Sequence, residues 1–355
     1  MVQKERYARK KWVMTDQGTG GGLVALVVTQ NRLEQLQRTI ERLLQSPPQD
    51  LRAALVFDNA SSEDTRNWLR AQNDPRLHVI NSPVNLGGAG GFEAAMRAAM
   101  RDLDPDWLVL MDDDGRPDTG AIAAFQARPK DGFDAIAAAV RMPGGQISEM
   151  NRPWINPFRT WRDLAHALRH GREGFHLGPA DYAPDAPIRE IDGASFVGFF
   201  ISRAGVARAG LPDGRLFLYG DDVLYSLRLR RAGGRIGFDP GLGFEHDCTT
   251  LPKSGPPILN PLWKAYYFHR NQVLITAQAA GPLLFWPALA LRALQWVMRA
   301  RHYGAQARSY RRLLWTALRD GLRRDLTRSH EDVVQMAWPR MPVSKQDQPQ
   351  SSHQS

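Results

Sequence analysis

The chain has 355 residues, 43% hydrophobic and 23% charged, with 46 Lys plus Arg against 37 Asp plus Glu for a formal net charge of +9. This is the balance of a globular protein with room for one large domain and an appendage, and it favours anionic partners of any kind. The single cysteine, Cys248, excludes an internal disulfide framework and any multi-cysteine zinc site, and fits a reducing compartment. The basic opening, residues 1–20, leads into polar, glycine-rich sequence rather than an apolar core region, so no secretory signal is expected there. "GLVALVVTQNR" reads as a buried strand over Leu23 to Val28 that ends in a polar turn at Thr29, Gln30, Asn31 and Arg32, and Leu33 to Leu44 follows helical spacing. "LRAALVFDNASS" gives a second strand ending at Asp58, and "EDTRNWLRAQ" a second helix capped by a preceding serine. "LHVINSPVNLGGAGGF" supplies a third strand and a glycine-rich loop, Gly87 to Gly91, that opens another helix; Trp107 to Met111 is the fourth strand.

Strands alternating with helices predict an α/β fold with a mostly parallel sheet flanked by helices and ligands at the carboxyl ends of the strands. The aromatic, arginine-rich region from about Met142 to Pro187 reads as an insertion or acceptor-side loop. Apolar patterning returns in "ASFVGFFISR" (strand), "GDDVLYSLRLRRAG" (helix) and "RIGFDPGLGFEHD" (hairpin-like). "LPKSGPPILNP" is a linker to an arginine-rich helical segment. Its apolar run, Gly281 to Met298, contains Pro287 and Arg292 and falls short of the roughly 20 residues that span a bilayer, so no membrane-spanning helix is expected. The end of the chain is low-complexity and reads as disordered.

Five features carry chemistry. In "WLVLMDDDGRP" an extended chain would put Asp112 and Asp114 on one face and Asp113 on the other. Two carboxylates on one face make a hard-oxygen site for Mg²⁺ or Mn²⁺; an acidic turn after a strand is the alternative. Asp58 can accept from a uracil imide N–H or cap a helix. The glycines of "NLGGAGGF" let backbone approach a ligand closely or make a plain turn; no Gly-Lys-Ser/Thr follows, so it is not a P-loop. At the start of "DDVLYSLRLRRAG", Asp221 reads as the helix cap and Asp222 as a general base. His246, ending an apolar strand, reads as core filler or as a third metal ligand that would suit Mn²⁺ better than Mg²⁺.

Taken in order, "VVTQNR", "VFDNASS", "NLGGAGGF", "LVLMDDDGRPD", "GASFVGFFISR", "YGDDVLYSLRLRRAG" and "GFEHD" resemble a family 2 glycosyltransferase of the GT-A fold, in its galactofuranosyltransferase-like and rhamnosyltransferase-like bacterial branch. The resemblance covers about Leu23 to Asp247. It implies metal-dependent, inverting transfer from a nucleotide-sugar donor, UDP- or dTDP-linked, to a glycan or lipid-linked acceptor in cell-surface polysaccharide synthesis. Position by position, it implies that Thr29, Arg32, Asp58, Asn85, Gly87, Gly88 and, more weakly, Asp113 line the donor, that Asp112, Asp114 and His246 hold Mn²⁺ or Mg²⁺, and that Asp222 is the catalytic base supported by Asp221. The chain departs from the family at Gln30, where a Tyr or Phe is common, and at Tyr219 and Gly220, where an aromatic such as Trp often precedes the acidic pair. The domain boundaries expected are a basic tail at 1–20, a GT-A domain at 21–255, a helical extension at 256–335 and a tail at 336–355. "YYFHRNQ", Tyr266 to Gln272, resembles a segment that follows the catalytic domain in this family, and packing beneath the domain is the role expected of it.

Helices basic on one side and apolar on the other suit an anionic membrane surface, which implies a cytoplasmic chain peripheral to the inner face of the membrane; a solvated helical pair on the core is the other reading. A nucleotidyltransferase would usually show a glycine-rich basic loop where this chain has "TQNR". A non-catalytic anion- or nucleic-acid-binding protein is the third class, and the acidic cluster argues against nucleic acid at the strand ends.

Overall fold

The computed structural model describes residues 21–130, 132–247 and 258–338. The expectations for residues 1–20, for Cys248, for most of the linker and for the sequence beyond 338 lie outside the described residues. Nine strands form one sheet: β1 (Leu23–Thr29), β2 (Ala53–Asp58), β3 (Leu77–Asn81), β4 (Trp107–Asp112), β5 (Gly115–Pro117), β6 (Ala135–Arg141), β7 (Arg189–Ile191), β8 (Phe199–Ser202) and β9 (Ile236–His246). Their order is β3-β2-β1-β4-β8-β6-β9-β5, with β7 also on β9. The first four run parallel, β8 is inserted antiparallel to β4 and β6, and β6 and β9 are again parallel.

Register decides where the polar strand ends meet. Thr29 stands opposite Asp58, Val28 opposite Asp112, and Asp58 opposite Asn81, so these ends share one edge of the sheet. β5 and β9 pair antiparallel with Gly115 opposite His246, which carries the histidine to the acidic turn. β9 is one continuous strand and not a hairpin. Its Asp-Pro-Gly turn signal is absorbed as a bulge, where partners step from Ala138 and Asp239 to Ala139 and Gly243.

Helices α1 (Leu33–Leu44), α2 (Glu63–Arg70), α3 (Gly87–Ala98) and α4 (Ala121–Ala127) follow the first strands, and α5 (Trp161–His170) lies in the insertion. The sheet is buried on both faces: Val24, Leu26, Leu55 and Leu110 pack on one side, and Ala25, Val27, Val56 and Val109 on the other. The glycine-rich stretch is the first turn of α3 and not a loop. Gly91 lets α3 sit on β1, since a Cβ there would come within 2.5 Å of Val28 Cγ1. Ser62 occupies the N-cap position of α2 without a side-chain cap bond, and its backbone N–H donates to Asn31 Oδ1.

Next come α6 (Arg203–Ala209) and α7 (Asp221–Arg231). The C-terminal part contains α8 (Lys264–Arg299), α9 (Ala307–Arg323) and α10 (His330–Ala337), with their own core of Leu262, Tyr266, Trp296, Tyr310, Leu314 and Val333. α10 runs past the boundary expected at 336, and Ala337 is buried. By length and composition the helical run Lys264–Arg323, which begins with α8, is long and apolar enough to cross a membrane. α8 is broken at Gly281 (φ 64, ψ −178) before Pro282, and Ala265, Tyr266, Tyr267 and Val273 in its first half pack into this C-terminal core.

Candidate active site

β4 ends at Asp112 and the chain turns at Asp113 and Asp114 before β5, so strand alternation does not extend through the triplet. The turn and the β5–β9 pairing nevertheless bring ligand atoms of Asp112, Asp114 and His246 within 4.8 Å of one another. Asp112 remains partly accessible, whereas Asp114 and His246 are buried. Burial, then the charge of Asp114, pushes the Asp112 carboxyl up to about 7. Burial acts in the same sense on Asp114, but His246 and Arg32 outweigh it and hold that carboxyl below its ordinary value.

His246 makes two polar contacts that bear on its role. Its Nδ1–H donates to Asn151 Oδ1 at 2.8 Å, an oxygen that also accepts from Ser148 Oγ at 2.6 Å, while Asn151 Nδ2 donates to Ser195 Oγ at 2.9 Å. The other nitrogen, Nε2, then stands 3.1 Å from Asp114 Oδ1, two lone-pair-bearing atoms that attract only across a proton or a cation. A hard or borderline divalent ion fits this two-carboxylate, one-imidazole set, with Asn151 fixing the tautomer. Asn151 has no signal in the sequence beyond being a polar residue in the insertion; only the fold puts it behind the histidine.

Asp113 points inward and is 4% exposed. It accepts from Thr29 Oγ1 at 2.8 Å, Gln30 N at 3.4 Å and Arg32 Nη1 at 3.5 Å, and burial pushes it to about 6. Thr29 and Arg32 are therefore struts of the acidic turn, and Arg32 also bonds Asp114. Its carboxylate is held by Thr29 and Arg32, and the donor role expected of Asp113 stays an expectation. Asp58 is fully buried and accepts from Ser61 N and Arg66 Nε.

Asn85 Oδ1 accepts from Gly87 N, and Asn59 reaches the same turn, accepting from Leu86 N and donating to Gly87 O. Gly87 (φ 71) is required by protein contact, since a Cβ would lie 2.1 Å from Phe217 O. Gly88 differs: a Cβ there would meet nothing within 4 Å, leaving its backbone open to a ligand.

The cap of α7 is Gly220 (φ 76), so Asp221 is the first helical residue and not the cap. Asp222 Oδ1 accepts from Val223 N at 2.7 Å. Burial, then the charges of Asp222 and Asp112, pushes Asp221 well above the carboxylate range. Burial raises Asp222 to about 6, with the Val223 N–H opposing. Burial thus raises both carboxyls of the pair, and the charge of Asp112 adds to the rise at Asp221.

A family model described as glycosyl transferase family 2 matches residues 24–180. The galactofuranosyltransferase GlfT1 of Mycolicibacterium smegmatis is 29% identical over 229 residues, 64% of this chain and 71% of that protein. The protein of the same name from Mycobacterium tuberculosis is 26% identical over 276 residues, 77% of this chain and 86% of its own length. In fold, the chain is similar to S. aureus TarS 1–349, solved in complex with UDP-GlcNAc, with a TM-score of 0.50 at 12% identity over 89% of this chain and 81% of that one. With the sheet, the acidic strand end and these relatives together, the chain carries a family 2 glycosyltransferase domain and is galactofuranosyltransferase-like.

Proposed function

We propose that the chain moves a sugar, galactofuranose ahead of rhamnose, from a UDP- or dTDP-linked donor to a glycan or lipid-linked acceptor of the cell surface, with inversion and with Mn²⁺ or Mg²⁺. The observations that carry this reading are the Asp112, Asp114 and His246 cluster and the Asp221–Asp222 pair at the start of α7, in a chain similar to galactofuranosyltransferases. Asp222 takes the proton of an acceptor hydroxyl as its oxygen attacks the anomeric carbon from the face opposite the diphosphate; the bond from that carbon to the diphosphate oxygen breaks, and the nucleoside diphosphate leaves. A divalent ion held by Asp112, Asp114 and His246 would offset the charge of that leaving group. Asn151 keeps His246 Nε2 directed at the ion, and Arg32 positions Asp114. Assays of UDP-galactofuranose, dTDP-rhamnose and UDP-hexoses with Mn²⁺ test the reading: transfer from the first with inverted product supports it, and turnover of none of them in any metal overturns it.

The acceptor end of the reading is an anionic membrane surface. From Lys264 to Arg319 the chain contains eight arginines and one lysine and no acidic residue. After the break at Gly281, α8 exposes an apolar stripe of Leu283 (76% exposed), Trp286 (63%), Leu291, Leu294 (58%), Val297 and Met298, with Arg299 and Arg301 exposed beyond it. An apolar face with a cationic surround matches an interfacial helix on acidic lipid. Flotation on vesicles containing phosphatidylglycerol, lost on pure phosphatidylcholine and lost in a Leu291→Gln/Leu294→Gln variant, is expected. Equal flotation of that variant, or self-association through the same face in place of lipid binding, rejects it.

A further inference from the structure

The approach to α7 is the most contorted backbone among the described residues. Phe217 (φ 65, ψ −58) closes a three-residue turn in which Leu218 N donates to Leu216 O at 2.8 Å, a γ-turn of the rare positive-φ form. Tyr219 (φ 68) and Gly220 (φ 76) are also left-handed, and Asp221 and Asp222 follow directly. Side-chain residues in this region of φ persist only where their surroundings hold them.

What holds them comes from the first half of α8. Asn271 is buried, and its Nδ2 lies within donating distance of three carbonyls of this loop: Leu216 O at 3.1 Å, Leu218 O at 2.9 Å and Tyr219 O at 2.8 Å. Its Oδ1 accepts from Arg270 Nε at 2.9 Å, which fixes the amide's orientation. Arg270 is fully buried, stands over the rings of Tyr266 and Tyr267 at 5.3 and 5.2 Å, and donates to Leu216 O at 2.8 Å and Arg215 O at 3.2 Å. Asn271 Nδ2 and Arg270 Nη2 therefore both donate to the backbone of one loop. The far side of that loop touches the donor-side helix, where Ala89 N donates to Phe217 O at 3.2 Å.

We propose that Asn271, braced by Arg270, is a positioning residue for glycosyl transfer: its amide holds Leu216–Gly220 in the left-handed path that aims Asp221 and Asp222 at the acceptor. The proposal rests on the reading of Asp222 as the base. It gives "YYFHRNQ" a task beyond packing, and makes the C-terminal helices part of the machinery that sets the acid pair.

Misplacing a reacting group by about 1 Å can cost roughly 10²-fold in rate. Asn271→Ala should therefore lower kcat by about 10- to 100-fold, with donor KM, nucleotide affinity and the number of nucleotide sites per chain close to wild type by calorimetry. The acid limb of its kcat–pH profile should move, because a loosened loop lets water to Asp222. Asn271→Ser keeps one donor and should fall between the two; it decides alone if the alanine variant does not fold. A kcat that falls only in proportion to the count of nucleotide sites, with an unmoved pH profile, overturns the proposal and returns Asn271 to a purely structural role. Asp222→Asn measured in parallel separates the two ideas: if it retains transfer, the base assignment fails; if it loses transfer while Asn271→Ala does not, the positioning role alone fails.

Discussion

Asp222→Asn should make the metal-free protein more stable at neutral pH while abolishing transfer. In the folded chain Asp222 is raised from 3.8 to about 6. A raised carboxyl contributes stability that is complete below its ordinary pKa and is lost as pH rises through the folded value, so the ionised form is carried at a cost above pH 6. A shift of about two units corresponds to about 3 kcal/mol. Asn keeps an oxygen for the Val223 N–H but gives up the interaction of a charge with the start of α7, roughly 0.3–1 kcal/mol, which leaves about 2 kcal/mol in favour of the variant. The assay is urea unfolding of both proteins in chelator at several pH values. The gain should be small at pH 4, grow up to pH 6 and level off above about pH 7. A variant no more stable than wild type at pH 7.5, or one whose gain is the same at pH 4, would refute the claim that burial holds this carboxylate against its solvation. Transfer by the wild-type enzyme should carry the complementary signature, falling about tenfold per unit below pH 6 as the base protonates.

Replacing Asn151 by Ala removes the acceptor for His246 Nδ1 and should weaken Mn²⁺ binding about 10- to 100-fold by calorimetry, and unchanged affinity would show the relay to be idle. Gly87→Ala drives a Cβ to 2.1 Å from Phe217 O at a φ of +71°, and should cost at least 1–3 kcal/mol in urea unfolding. Gly88→Ala should leave stability within about 0.5 kcal/mol and instead weaken nucleotide-sugar binding; the reverse ranking of the two variants would contradict the split between packing and ligand-facing glycine.

The first half of the fold was legible because each of its strands is an apolar run ended by polar residues, and Leu33 to Leu44 is a helix with the bounds its spacing indicates. β6 escaped reading for a physical reason. "AIAAAVR" is alanine-rich, and alanine favours helix, yet Ala135, Ala137 and Ala139 face one core and Ile136, Ala138 and Val140 the other, where small side chains fit a strand covered on both faces. β8 is shorter than "ASFVGFFISR" suggests because Gly198, at φ +69°, interrupts it where a Cβ would crowd Ala138 and Phe244. At the site, residue type and position, at a strand end for Asp112, Asp114 and His246 and at a helix start for Asp222, are what drew the sequence reading to these candidates. Residues that act through others, such as Asn151 and Asn271, left no such mark, because their significance lies in partners about 95 and 50 positions away in the chain.

The same logic explains why the site is costly to fold and why so much of the chain is committed to it. Five carboxyl groups, Asp112, Asp113, Asp114, Asp221 and Asp222, are drawn together, and four of them are raised above their ordinary values by burial. Arg32 offsets part of that charge at Asp113 and Asp114. Among the described residues no ion pair reaches Asp112, Asp221 or Asp222, so their repulsion is relieved by protons at low pH, and a divalent cation would relieve it at neutral pH. The positive-φ approach to α7 adds backbone strain to this electrostatic cost. Local choices that conflict with stability are expected where function is housed, and at the start of α7 they coincide: the positive-φ loop held by the buried Asn271 runs directly into Asp221 and Asp222. A scaffold can keep such a turn only by bracing it from outside the sheet, and in this chain the brace is the start of the helical extension.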